Sequence, residues 1–209
     1  DAVKRDILNL LGLKNPFEIT TGFDRKNLFF AVKRPQNKQK ELLAIVSEHK
    51  NQSGIIYCAT RKNVEKVSDF LNENGYDSLI YHAGLSNEIR SKNQDDFIND
   101  RCNLIVATNA FGMGIDKPDV RFVVHYNMPK NLENYYQEAG RAGRDGENSD
   151  CVLLYSPGDV HTQKFFIENN DENAELTEEQ REKIKKNDYY KLNEMVGYCT
   201  STTCLRNYI

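Results

Sequence analysis

The residues best suited to chemistry in this 209-residue chain are two arginines, Arg141 and Arg144. Each directly follows a glycine in the run Gln137-Glu138-Ala139-Gly140-Arg141-Ala142-Gly143-Arg144-Asp145-Gly146. Arginine is permanently charged and meets phosphate oxygens in a two-pronged fork, so two of them beside bare glycine backbone suit polyphosphate recognition. The plainer alternative is a helix end running into a solvated turn. A second run, from Ile105 to Val120, places Thr108 after an apolar stretch and continues through Gly112-Met113-Gly114-Ile115-Asp116. A dinucleotide fingerprint needs a third glycine, at 117, where Lys117 stands instead. Thr108 and the amides after it can hold a nucleic-acid phosphate, and the glycines allow close backbone approach. Asp116 can reach a nucleotide or an attacking water, whereas Met113 and Ile115 are expected to pack. Thr60 can cap the helix that follows it and offer the same hydroxyl to a phosphate. His82 reads as a turn histidine with a local hydrogen bond.

These residues need a scaffold, and the pattern supplies one. Short apolar runs at 27–33, 54–58, 78–81, 103–107, 121–125 and 150–155 read as strands. Helical spacing fills 38–49, 61–74, 86–99 and 131–139 between them, with Val64, Val67, Phe70 and Leu71 as the clearest stripe. Strands apolar on both faces, separated by helices, predict an α/β domain of three layers around a mainly parallel sheet. In such sheets chemistry gathers in loops at the carboxyl ends of the strands. That rule puts 59–61, 82–85, 108–116 and the loop before Asn131 on one edge. After Tyr155 the pattern changes to a short helical extension. Ser156-Pro157-Gly158-Asp159 is a helix start, and Thr177-Glu178-Glu179-Gln180 is a capping box. The second of these helices is expected to end at Lys183, Lys185 and Lys186, with a separate helix over 188–198.

The totals exclude several classes. Lys and Arg number 28 against 31 Asp and Glu, a net charge of −3, so no global basic character signals nucleic acid, although a local basic groove remains open. Hydrophobic residues make up 39% of the chain, enough for a real core. No run approaches the ~18 apolar residues of a membrane span, and no secretion signal opens the chain. The N-terminus lacks Met and reads as that of an excised piece. Five scattered cysteines fit a reducing cytosol, with Cys58, Cys151 and Cys199 expected as buried thiols. A phosphate loop, G-x-x-x-x-G-K-[ST], is missing, since none of the 12 glycines precedes a lysine. The Asp171-Glu172 pair reads as solvated surface rather than a Mg²⁺ site.

The 137–146 run resembles motif VI of superfamily-two helicases, and its QExGRAGRDG form is similar to the RecQ family in particular. The 105–120 run resembles that family's motif V. Residues 54–61 resemble motif IV, and Tyr81-His82-Ala83-Gly84-Leu85 resembles its YHAGL loop. Residues 1–26, with Phe23-Asp24-Arg25-Lys26-Asn27-Leu28, resemble the connection between two RecA-like lobes, although Lys26 replaces the usual proline. Residues 27–156 would then be the C-terminal RecA-like lobe, and 157–209 the start of the zinc-binding subdomain. The resemblance implies an ATP-dependent DNA helicase moving 3′ to 5′ on single-stranded and forked DNA in replication, recombination and repair. It assigns Arg144 as the arginine finger with Arg141 and Gln137 alongside, and Gly114 and Asp116 to the nucleotide. Thr60, Arg61, His82, Thr108 and Asn109 fall to the DNA backbone. ATP and Mg²⁺ would be shared with an N-terminal lobe bearing the phosphate loop, so the chain alone is expected to be inactive as an ATPase. Cys204 matches the first of four zinc-ligating cysteines, the others falling beyond Ile209, so no bound Zn²⁺ is expected in this chain. The expected location is the cytoplasm, as bacterial cytosol or nucleoid. Alternatives are a nucleic-acid-binding module without motor activity and a related superfamily-two RNA helicase.

Overall fold

The computed structural model describes residues 2–12, 16–17, 24–112, 115–169 and 177–209. Met113, Gly114, Asp171, Glu172 and parts of the 1–26 segment lie outside these residues. Six strands form one sheet: β1 (Leu28–Lys33), β2 (Ser53–Tyr57), β3 (Ser78–Tyr81), β4 (Leu104–Ala107), β5 (Val120–His125) and β6 (Ser149–Leu154). Their spatial order is β1-β6-β5-β2-β4-β3, and each pairing among the described residues is parallel.

Strand side chains alternate between two cores because successive residues point to opposite faces. On one face Ile56, Val106, Phe122 and Val124 pack under α2 (Lys38–Glu48) and α3 (Arg61–Glu73), which contribute Leu42, Ile45, Val64 and Leu71. On the other, Ile55, Ile105, Val123 and Cys151 meet Phe97 of α4 (Asn87–Ile98) and Ala139 of α5 (Leu132–Ala139). Burial on both faces is why the strands read as unbroken apolar runs. Each side chain of this size contributes ~1.5–3 kcal/mol when fully buried.

The extension packs against this lobe through a third cluster. Tyr135 of α5 meets Ile167 of α6 (Pro157–Glu168) and Leu192, Met195 and Tyr198 of α7 (Glu178–Thr200). The Tyr198 hydroxyl donates to that of Tyr135 at 3.2 Å. Both expected helix starts are present: the Ser156 amide donates to Asp159 Oδ2 at 2.9 Å, and Gln180 N to Thr177 Oγ1 at 3.3 Å. The expected break after Lys186 is not. α7 runs unbroken for 23 residues, because no glycine or proline interrupts 183–192, although its buried residues begin only at Leu192. Lys185, expected to mark a helix end, instead pairs with Glu168 on α6, joined there by the Tyr189 hydroxyl at 2.5 Å.

At the N-terminus α1 (Ala2–Leu11) keeps Ile7, Leu10 and Leu11 exposed. Among the described residues no helix is long and apolar enough to cross a membrane.

Candidate nucleotide and nucleic-acid site

Helix α5 delivers the arginine turn. Asn131 caps it, accepting from Asn134 N at 2.8 Å, and after Ala139 the chain turns back toward β6. The Gly143 amide donates to Val120 O at 2.8 Å, which moors the turn at the start of β5. Gly143 has φ +54, and a Cβ there would stand 2.6 Å from Asn27 Nδ2, Glu147 O and Ser149 Oγ. No other residue type fits that packing at a left-handed angle.

The two arginines are not equivalent. Arg141 is half-buried and donates from Nη1 to Gly112 O at 2.5 Å, while its Nε is buried without a partner. Gly112 has φ +154, and a Cβ on it would lie 2.0 Å from the Arg141 guanidinium. The first glycine of the Gly-x-Gly therefore admits an arginine of the same chain. Beneath it Tyr57 donates to Phe111 O at 3.0 Å. Burial pushes the Tyr57 phenol up from its ordinary range, against the opposing pull of Arg141. Arg144 points outward: its side chain is 36% exposed, and Nη1 donates to Ile115 O at 3.0 Å and to Asp116 Oδ1 at 2.9 Å. Gln137 is exposed on α5. Arg144, with one exchangeable carboxylate partner, is the cation that a polyphosphate could take over. Gly114 lies outside the described residues.

Two residues that motif spacing does not single out hold this turn. Arg25 donates from Nη1 to Gly140 O at 2.9 Å, and from Nη2 to Ala142 O at 3.0 Å and to Gly143 O. Asn27 Nδ2 donates to Gly143 O and Glu147 O, each at 2.8 Å. The available signal was the Asp-Arg-x-Asn string itself, read as a connection.

The nucleic-acid candidates gather at the carboxyl ends of β2, β3 and β4. Thr60 caps α3, its hydroxyl accepting from Asn63 N at 3.1 Å. Exposed Arg61 lies against the 82–85 turn, where a Cβ on Gly84 would stand 3.2 Å from its Nη1. Thr108 Oγ1 accepts from Ala110 N at 3.4 Å, and Asn109 is exposed beside it. His82 makes the expected local bond, Nδ1 accepting from Gly84 N at 3.2 Å, but the residue is only 3% exposed. Its Nε2 faces Glu65 at 3.6 Å, beyond hydrogen-bond reach. The ring therefore shapes the turn from beneath and does not present itself at the surface. Behind this edge, Asn109, His125, Asn127, Lys130 and Glu138 help line a cavity of about 360 Å³.

Asp116 does not join that edge. The 108–119 connection leaves the carboxyl end of β4 and must reach the start of β5, on the other side of β2. Phe111 and Ile115 are buried in the same core cluster as Ile55 and Tyr57. Asp116 and Arg144 consequently sit toward the amino end of β5, and the nucleic-acid candidates at the opposite edge.

For zinc the residues present do not fit. Among the described residues no group of three or more His, Cys, Asp or Glu could hold a metal ion. Cys204 is exposed, whereas Cys199 is buried and its thiol is pushed up to about 12 by that burial. A structural site needs four ligands, normally thiolates or imidazoles.

Comparison with known proteins agrees with the geometry. The family model described as helicase conserved C-terminal domain matches residues 37–146, and the RecQ zinc-binding model matches 157–209. The chain is 42% identical over 207 residues to the ATP-dependent DNA helicase RecQ of Bacillus subtilis, covering 99% of this chain and 34% of that protein. It is 43% identical over 201 residues to the RecQ-like DNA helicase BLM of Xenopus laevis, covering 94% and 14%. A mimivirus protein whose name describes an ATP-dependent RNA helicase is 44% identical over 206 residues, covering 98% and 36%. The chain thus spans about a third or less of the length of these relatives. With the arginine turn, the parallel sheet and both family matches in agreement, the chain belongs to the helicase C-terminal domain family, as a C-terminal lobe of the RecQ type.

Proposed function

We propose that this lobe is the arginine-bearing half of an ATP-driven 3′-to-5′ DNA helicase motor. ATP with Mg²⁺ binds between it and an N-terminal lobe that carries the phosphate loop. Arg144 reaches the γ-phosphate, with Arg141 and Gln137 beside it and Gly114 and Asp116 near the nucleotide. Thr60, Arg61, Thr108 and Asn109 line the DNA strand, and His82 supports the turn next to them. Closure of the two lobes on ATP then shifts the DNA edge relative to its partner, and hydrolysis reopens the cleft. The polarity and the preference for single-stranded or forked DNA follow from the family resemblance.

The observation that carries this reading is the contrast between the arginines: Arg141 is locked on Gly112, and Arg144 is exposed on an exchangeable carboxylate. A finger of this kind is worth about 10³–10⁵ in phosphoryl-transfer rate, or roughly 4–7 kcal/mol. In the parent helicase Arg144→Ala should leave ATP affinity within several-fold and cut DNA-stimulated hydrolysis by about 10³–10⁵. A near-normal kcat would remove Arg144 from this role. The isolated chain, holding one side of the site, should show no DNA-stimulated turnover. RNA as the strand is favoured by the name of the mimivirus relative. Stimulation of the parent ATPase by RNA but not DNA oligonucleotides would decide for it.

A further inference from the structure

We infer that Arg25 is a positioning residue for the arginine finger, acting on Arg144 through the backbone of the turn; this rests on the finger reading above. The turn has two features that demand an external anchor. Helix α5 is only eight residues long, and the amides of Gly140, Arg141 and Ala142 take its carbonyls at Tyr136, Glu138 and Ala139, which leaves the turn's own carbonyls at Gly140 and Ala142 to be met from outside. Residues 140–143 then carry the chain directly into Arg144, so the carbonyl orientation there sets where the Arg144 side chain starts.

Arg25 meets both demands at once. Its guanidinium donates to the carbonyls of Gly140, Ala142 and Gly143, the residues that bracket Arg141 and immediately precede Arg144. Converging carbonyls at a helix C-terminus are a site for a cation, and a planar fork of five donors can serve several of them where an ammonium cannot. Asn27 adds a second bond to Gly143 O. The peptide bearing Arg25 is itself fixed. Arg206, from the 3₁₀ turn Leu205–Asn207, donates to the carbonyl of Arg25 at 3.1 Å, to the Asp24 carboxylate and to the carbonyl of Leu28, and lies 5.6 Å over the Phe30 ring. A continuous set of contacts therefore runs from the extension, through the strand entering the sheet, to the finger. None of these groups needs to touch nucleotide.

The test uses the parent helicase with Arg25→Ala, Arg25→Lys, Arg144→Ala and the Arg25→Ala/Arg144→Ala pair, reading kcat and KM for DNA-stimulated ATP hydrolysis. A misplacement of about 1 Å costs on the order of 10²-fold, so Arg25→Ala should lose about that much in kcat with KM for ATP within several-fold. Arg25→Lys keeps the stem and charge and so guards against simple misfolding; it too should fall by about tenfold or more, since lysine cannot span the three carbonyls. Millimolar guanidinium should restore part of the Arg25→Ala rate. The double variant should be no slower than Arg144→Ala alone, because non-additivity marks residues acting as a unit. Wild-type kcat in Arg25→Lys, or losses that multiply in the double variant, would overturn the inference. If Arg144→Ala retains its kcat, the finger reading itself fails; if only Arg144→Ala is impaired, the positioning role alone fails.

Discussion

Arg144 holds Asp116 through a single 2.9 Å contact from Nη1, and the same nitrogen also donates to the carbonyl of Ile115. The carboxylate is 88% exposed and the guanidinium side chain 36% exposed, so water competes on both sides. Exposed pairs of this kind contribute about 0–1 kcal/mol. Asp116→Ala should accordingly change unfolding free energy by less than about 1 kcal/mol in a urea titration. The Ile115 carbonyl still receives Arg144. A loss of ~2 kcal/mol or more would mean the pair holds the 108–119 connection together, and Arg144 would not be free to exchange partners.

Gly112 should be far less tolerant than its exposed neighbours. An added Cβ would meet the Arg141 guanidinium at 2.0 Å, at a φ of +154 that side chains avoid. Strained backbone of this sort costs about 1–3 kcal/mol, and Arg141 would also have to leave the Gly112 carbonyl. Gly112→Ala should lower the thermal midpoint by several degrees, roughly 2–12 °C for such a cost. An unchanged midpoint would show that the turn adjusts freely and that the glycine is not required by packing.

How far this site could be read from sequence depends on the kind of contact. The strands were legible because burial on both faces leaves unbroken apolar runs, as in Gly54-Ile55-Ile56-Tyr57. The arginine turn was legible because charge, glycine and spacing coincide at 140–144. Spacing alone could not say which arginine turns inward, since that follows from the space over Gly112. Nor could it find Arg25, whose partners lie 115 to 118 residues away and are backbone carbonyls, which leave no mark in the residue pattern. The break expected after Lys186 failed for a related reason. Clustered lysines suit the macrodipole at a helix end, whereas Lys185 serves Glu168 on a neighbouring helix.

Asp159 links the extension to the strand edge near Thr60 and should be sensitive to substitution. It is buried and accepts from Lys38 Nζ at 2.7 Å, Asn127 Nδ2 at 3.0 Å and its own helix start at Ser156 N. Asn127 in turn accepts from the Ala59 amide at 3.2 Å and Asn63 Nδ2 at 3.1 Å, next to Thr60. Removing one partner of a buried pair typically costs about 3–5 kcal/mol. Asp159→Ala should therefore destabilise the chain by that order in denaturant unfolding. Asp159→Asn, which keeps the shape and part of the bonding, should cost less. Equal losses for both would assign the effect to charge alone.

The cysteines give a prediction that bears on metal as well as on packing. Burial pushes the Cys151 and Cys199 thiols up to about 12, and raises Cys58 and half-buried Cys102 as well. Attack on a disulfide reagent needs the thiolate, which burial disfavours, and Cys58, Cys151 and Cys199 are shielded as well. Cys204 is exposed. A folded chain treated with a chromogenic disulfide should release one fast equivalent that maps to Cys204 by mass spectrometry, with the rest appearing on unfolding. Metal analysis of the same preparation should find less than one zinc per chain, because one accessible thiol cannot complete a tetrahedral site. Stoichiometric, tightly held zinc together with a protected Cys204 would overturn this expectation.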